Sequence, residues 1–118
     1  MVRFDVYRNP SKNRSSIPFL MDVQSNVISG LATRIVIPMR LLSTVESDSL
    51  PGDLFPIQVV EGESYFLDTP QLGAIPAQEL TVPVLGVIVD RFKIVAALDR
   101  AFGSYLKRLF SRTAGHQA

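Results

Sequence analysis

Few side chains in this 118-residue sequence could make or break bonds, and they are scattered. The single histidine, His116, stands in the closing run Thr113-Ala114-Gly115-His116-Gln117-Ala118, which reads as a disordered, solvated end. Catalytic groups must be held to about half an ångström, and a frayed terminus cannot do that. Glu61 and Glu63 flank Gly62. Two carboxylates can divide acid and base roles, but on a hairpin tip such a pair reads as solvating charge. Arg34 and Arg40 could stabilise a transferring phosphoryl group if further bases joined them. No Lys or Arg occurs in the next fifty residues, from Leu41 to Asp90. There is no glycine-rich phosphate loop, no H-E-x-x-H and no G-x-S-x-G. With no cysteine, disulfides and thiolate metal sites are out. The chemistry on offer is recognition, with no cofactor, no metal and no catalytic set expected.

The composition agrees with a protein built to be covered. Hydrophobic residues make up 47% and charged residues 19%, a slight apolar surplus for one domain of this length. An oligomer interface is the usual cover for such a surplus. The start, MVRFDVYRNP, carries Arg3, Asp5 and Arg8 where a signal peptide needs an unbroken apolar stretch. The longest uncharged apolar run, Val82 to Val89, falls far short of the roughly 20 residues of a membrane helix. A cytoplasmic protein is expected, with no membrane partner.

Charge is unevenly spread. Residues 1–40 hold six bases and two acids, residues 41–90 eight acids and no base, and residues 91–118 six bases and one acid. Either the fold interleaves the three segments and the fields cancel, or the middle segment forms an acidic face that suits a basic partner. Such a face would repel phosphates, so direct nucleic-acid binding is not expected.

The elements that must carry any binding surface follow from periodicity. Val2, Phe4 and Val6 alternate with polar residues, as in a half-buried strand. Residues 9–16 read as a polar loop, and Ile17 to Val23 as a strand that, carrying Pro18, lies at an edge or begins at a bulge. Thr33 to Ile37 is the most β-branched run and the expected central strand. Residues 43–54 form a polar loop with Pro51-Gly52 as its turn. Ile57–Val60 and Ser64–Leu67 suggest a hairpin with a three-residue bulged connection, and Ala74 to Ala77 a short edge strand. The period then changes: Ile88, Phe92, Val95, Leu98, Phe102, Tyr105 and Leu109 fall on one helical stripe, with Gly103-Ser104 as a point of weakness. Five or six short strands followed by a terminal helix is an α+β, mostly β pattern.

Several stretches in this order resemble the CcdB family of toxin–antitoxin toxins. They are Phe4-Asp5-Val6-Tyr7-Arg8-Asn9, Met21-Asp22-Val23-Gln24-Ser25-Asn26, Arg34-Ile35-Val36-Ile37-Pro38, Phe55-Pro56 leading to Glu61-Gly62-Glu63, and Ala74-Ile75-Pro76. The Asp-Val-Gln-Ser element followed by the Val-Ile-Pro strand is the most specific part. The resemblance implies an SH3-like small barrel, shared with RNA-cleaving toxins of the Kid and MazF type, over residues 1–105. Residues 106–118 would be a C-terminal extension, helical at first and then disordered. It further implies a homodimer that binds the A subunit of DNA gyrase and poisons it without being an enzyme, and a CcdA-like antitoxin that neutralises it. The alternatives it leaves are an RNA-cleaving toxin on the same barrel and a non-toxic homologue that only binds antitoxin.

Carried over position by position, the gyrase-binding residues would be Gln24, Ser25, Val27 and Ile28, with Asp99, Phe102, Gly103, Ser104 and Tyr105. Phe102 also lies on the apolar stripe, where core packing is the stronger expectation. The family's Trp-Gly-Ile-like ending is here Gly103-Ser104-Tyr105, and the chain runs on through Leu106-Lys107-Arg108-Leu109-Phe110. An aromatic anchor at an interface centre can be worth about 2–4 kcal/mol, so the changed ending bears directly on affinity.

Overall fold

The computed structural model describes residues 1–28 and 30–103. Ser104, Tyr105 and the extension at 106–118 lie outside the described residues. Among the described residues, beside four short 3-10 turns, there are seven strands and one α-helix: β1 (Val6–Arg8), β2 (Phe19–Asp22), β3 (Thr33–Leu41), β4 (Ile57–Val60), β5 (Glu63–Leu67), β6 (Gly73–Pro76), β7 (Pro83–Val84) and α1 (Arg91–Phe102). All pairings are antiparallel, in the order β4-β5-β3-β2-β1-β7, with β6 also on β3.

β3 is the spine, as its β-branched sequence implies. Its one edge pairs β2 from Val36 to Met39, and its other edge takes β6 at Thr33–Val36 and β5 at Met39–Leu41. One strand serving two partners on the same edge must bend between them, and the sheet curls into a half-barrel. Met21, Ile37, Met39 and Leu67 are fully buried in its concave side, and Ile94 of α1 packs onto the same cluster. This curved antiparallel sheet with one C-terminal helix is the SH3-like barrel that the resemblance implies.

Several local expectations need correction. Residues 2–5 form a turn, with the Asp5 amide donating to the Val2 carbonyl, and β1 begins only at Val6. β2 lies between β1 and β3 rather than at an edge, because Pro18 precedes the strand and its missing N–H costs no ladder bond. The 57–67 hairpin has no bulge. Glu61 (φ 52°) and Gly62 (φ 81°) form a two-residue connection, the positive-φ pair of a type I′ turn, whose twist matches the strands. β7, which pairs with β1, escaped the periodicity because it is two residues long and begins with proline.

The largest correction concerns the helix. Asp90 caps it, its carboxylate accepting from the amides of Phe92 and Lys93, and Gly103 (φ 72°) ends it. The face that packs inward is Ile94 and Ala97, with Leu98 half-buried. Of the described members of the expected stripe, Leu98 alone turns inward and the others point outward: Phe92 is 89% exposed, Phe102 61%, and Ile88 and Val95 are also exposed. Core packing therefore does not account for Phe102.

The uneven charge is resolved by interleaving. Arg8 pairs with Glu61, Arg40 with Asp68 and Arg100 with Asp53, each joining the base-free middle segment to a flanking one. These acids do not stand as an unneutralised face.

Candidate functional site

The turn after β2 is built from the inside. Asp22 ends β2 in a fully buried position. Its Oδ2 accepts from Arg34 Nε at 2.9 Å, and Arg34 Nη2 stands 2.7 Å from the same oxygen. That second contact is Coulombic, since Nη2 meets no acceptor at hydrogen-bonding angle. Asp22 Oδ1 accepts from the Gln24 amide at 3.0 Å, a local turn of the kind aspartate favours. Gln24, itself buried, spans two elements. Its Nε2 donates to the Ile28 carbonyl at 2.8 Å, and its Oε1 accepts from the Ile35 amide of β3 at 3.2 Å.

On this frame sits a short apolar turn. The Ile28 amide donates to the Ser25 carbonyl and the Val27 amide to Ser25 Oγ. Val27 is 92% exposed, and Ile28, Leu31 and Ile35 are exposed beside it. A hydrophobic tip held by a buried polar frame is costly for a monomer and ordinary for a binding surface.

The N-terminal segment clamps the turn's other side. The Arg3 amide donates to Asn26 Oδ1 at 3.0 Å and Arg3 Nε to the Val23 carbonyl at 3.0 Å. Phe4 is buried at φ 76°, a left-handed conformation that costs a non-glycine residue about 1–3 kcal/mol. Its ring lies between two guanidinium groups, Arg3 at 4.8 Å and Arg91 at 5.7 Å. Next door, Tyr7 has its phenol pKa raised from 10.0, first by burial and then by the carboxylates of Asp5 and Asp22.

The helical part stands apart from this turn. Asp99, Phe102 and Gly103 are exposed at the end of α1 away from Arg91, where Phe102 lines a cavity with Leu54, Pro70 and Leu72. The eleven residue-to-residue steps from Arg91 to Phe102 rise about 16 Å along the helix. The structure thus brings Gln24, Ser25, Val27 and Ile28 together, and separately Asp99, Phe102 and Gly103. Ser104 and Tyr105 lie outside the described residues.

Asp22, Arg34, Arg3 and Asn26 were not singled out for this turn. A local signal existed for one of them. Asp22 interrupts the apolar run Phe19-Leu20-Met21 and stands two residues before Gln24, the mark of a buried, self-capping aspartate. Arg3 and Asn26 meet only through the fold. Arg34 and Arg40, the bases on which an RNA-cleaving site would depend, are committed to Asp22 and Asp68.

Among the described residues there is no group of three or more His, Asp or Glu side chains placed to hold a metal ion, and no helix long and apolar enough to cross a membrane. No curated protein matches the chain. A family model described as CcdB protein matches residues 3–103, a range that contains the half-barrel, the helix and the framed turn. CcdB toxins act as non-catalytic protein ligands. The chain belongs to the CcdB family, and it is a toxin rather than an enzyme.

Proposed function

We propose that this toxin acts as a homodimer on the A subunit of DNA gyrase, and that a CcdA-like antitoxin neutralises it. The observation that carries the reading is the exposed Val27–Ile28 tip on its buried polar frame, at the position the family uses beside its dimer axis. Val27, Ile28 and Ser25 would touch the target, with Asp99, Phe102, Gly103, Ser104 and Tyr105 as the second half of the surface. In one protomer these halves come from separate segments, the turn after β2 and the last turn of α1. A dimer offers a way to place the turn of one copy beside the helix end of the other, and it would cover exposed apolar residues such as Ile35 and Phe92.

The antitoxin's contacts are assigned to the loops at 9–16 and 43–54. The first loop is braced by Asn9, whose Nδ2 donates to the Ile17 carbonyl and whose Oδ1 accepts from Ser11. Beside it is a groove of about 210 Å³ with Leu20, Val36, Pro38 and Ile75 in its lining and Glu79 at its side. An apolar side chain followed by a basic one would suit it.

The test is a binding titration of the full chain against a gyrase A fragment. Truncating Val27 and Ile28 to alanine should weaken binding about tenfold or more, at an estimated 1–2 kcal/mol for the pair. Tyr105→Ala should weaken it as well. No binding by the unaltered chain would remove gyrase as the target. If antitoxin still bound tightly in that case, the chain would be a homologue that only binds antitoxin.

A further inference from the structure

We propose that Gln24, supported by the buried Asp22–Arg34 pair, is a positioning residue that pre-forms the 25–28 turn, and that it does not itself contact the target. The proposal rests on the turn being the target-binding tip and assigns how the protein holds that tip ready. Residues 26–28 are all exposed. Left free, each residue ordered on binding would cost about 1–2 kcal/mol of conformational entropy. The side chain of Gln24 removes that cost beforehand. It satisfies one backbone carbonyl inside the turn, that of Ile28, and one backbone amide on the spine, that of Ile35.

Glutamine suits this task because its amide is donor and acceptor at once. Leucine of similar volume leaves both backbone groups without the partner. Glutamate keeps the acceptor for Ile35 and loses the donor for Ile28. Only 3% of Gln24 is exposed, too little for a target contact of its own. Asp22 fixes the start of the same side chain by accepting from the Gln24 amide, and Arg34 compensates the charge that this burial would otherwise strand. The Val23 amide, donating to the Ile35 carbonyl at 2.9 Å, ties the two strands at the same level.

The experiment compares four full-length proteins, Gln24→Leu, Gln24→Glu, Ile28→Ala and the double change Gln24→Leu/Ile28→Ala, with the unaltered chain. Affinity for a gyrase A fragment is measured at a temperature where each is folded by circular dichroism. Amide hydrogen exchange is followed in the toxin alone. Gln24→Leu should weaken binding at least tenfold, with Gln24→Glu in between. The double variant should bind much more tightly than the product of the two single losses implies, since both act through one turn. Exchange at the Val27 and Ile28 amides should quicken at least tenfold in Gln24→Leu while Ile37 and Met39 keep their protection. Full affinity for Gln24→Leu, strictly additive losses, or exchange that quickens equally in the core would each overturn the proposal. If Ile28→Ala binds as well as the unaltered chain, the turn is not the target surface and the reading beneath the proposal fails. The exchange comparison still decides whether Gln24 orders the turn.

Discussion

Substituting Arg34 by alanine should destabilise this protein far more than removing any of its exposed ion pairs. The Asp22 side chain is fully buried and that of Arg34 is 8% exposed, so water cannot take the place of the lost guanidinium. Oδ1 of Asp22 would keep the Gln24 amide, while Oδ2 would lose the Arg34 contacts described here. Breaking a buried pair by removing one partner costs about 3–5 kcal/mol. Single domains are stable by only about 5–15 kcal/mol, so roughly a fifth of the total or more would go, and the midpoint of thermal unfolding should fall by about 10–20 °C. Urea unfolding followed by tyrosine fluorescence suits a chain with three Tyr and no Trp. It must be run at one protein concentration, since dimerisation would add to the apparent stability. The slope with urea should be unchanged and the midpoint lowered. Arg34→Met combined with Asp22→Asn should recover at least half the loss, because the asparagine can still accept from Gln24 and no charge is stranded. Arg100→Ala, which breaks a pair more than half exposed on both sides, should leave the midpoint in place. A loss below about 1 kcal/mol for Arg34→Ala would place this pair with ordinary surface pairs and refute the description of the turn's frame.

Two further outcomes follow from the geometry. Gly62 holds φ 81° in the type I′ turn with nothing within 4 Å of where a Cβ would stand, so Gly62→Ala meets no clash. It should still destabilise by about 1 kcal/mol in the same urea assay, because alanine resists that backbone conformation. Tyr7 has a folded pKa raised above 10.0, so the unfolded chain loses this proton first as pH climbs. Its contribution is complete below pH 10 and disappears as pH rises through the folded value. Unfolding midpoints measured above pH 10 should fall less steeply in Tyr7→Phe than in the unaltered chain.

Much of the architecture was legible without coordinates, for a reason that can be named. The β-branched run at 33–37 became the strand on which three others pair, since such side chains suit a pleated surface packed on one side. The polar loops at 9–16 and 43–54, the hairpin at 57–67 and the helix end at Gly103 are likewise local matters of turn residues and periodicity. The ordered stretches from Phe4 to Pro76 pointed to the family whose model spans residues 3–103. The helix shows where such reasoning stops. Its period was plain, but the row Phe92, Val95 and Phe102 and the row Ile94, Ala97 and Leu98 are both apolar. Periodicity marks a stripe and is silent on what the stripe faces.

The candidate site divides in the same way. Gln24, Ser25, Val27 and Ile28 are neighbours in the chain, so their grouping in one turn was local information. The buried frame joins Asp22 to Arg34 across twelve residues and Arg3 to Asn26 across twenty-three, contacts that exist only once strands have paired. Residue types and spacing alone determined that this is a small, mostly β protein with a terminal helix, because strand, turn and helix preferences act over a few residues. The tertiary structure decided which apolar row is left outside, which acids are neutralised, and that a glutamine of the expected site is buried. Those outcomes depend on how closely the helix approaches the sheet and which strands lie edge to edge, distances that no stretch of sequence contains.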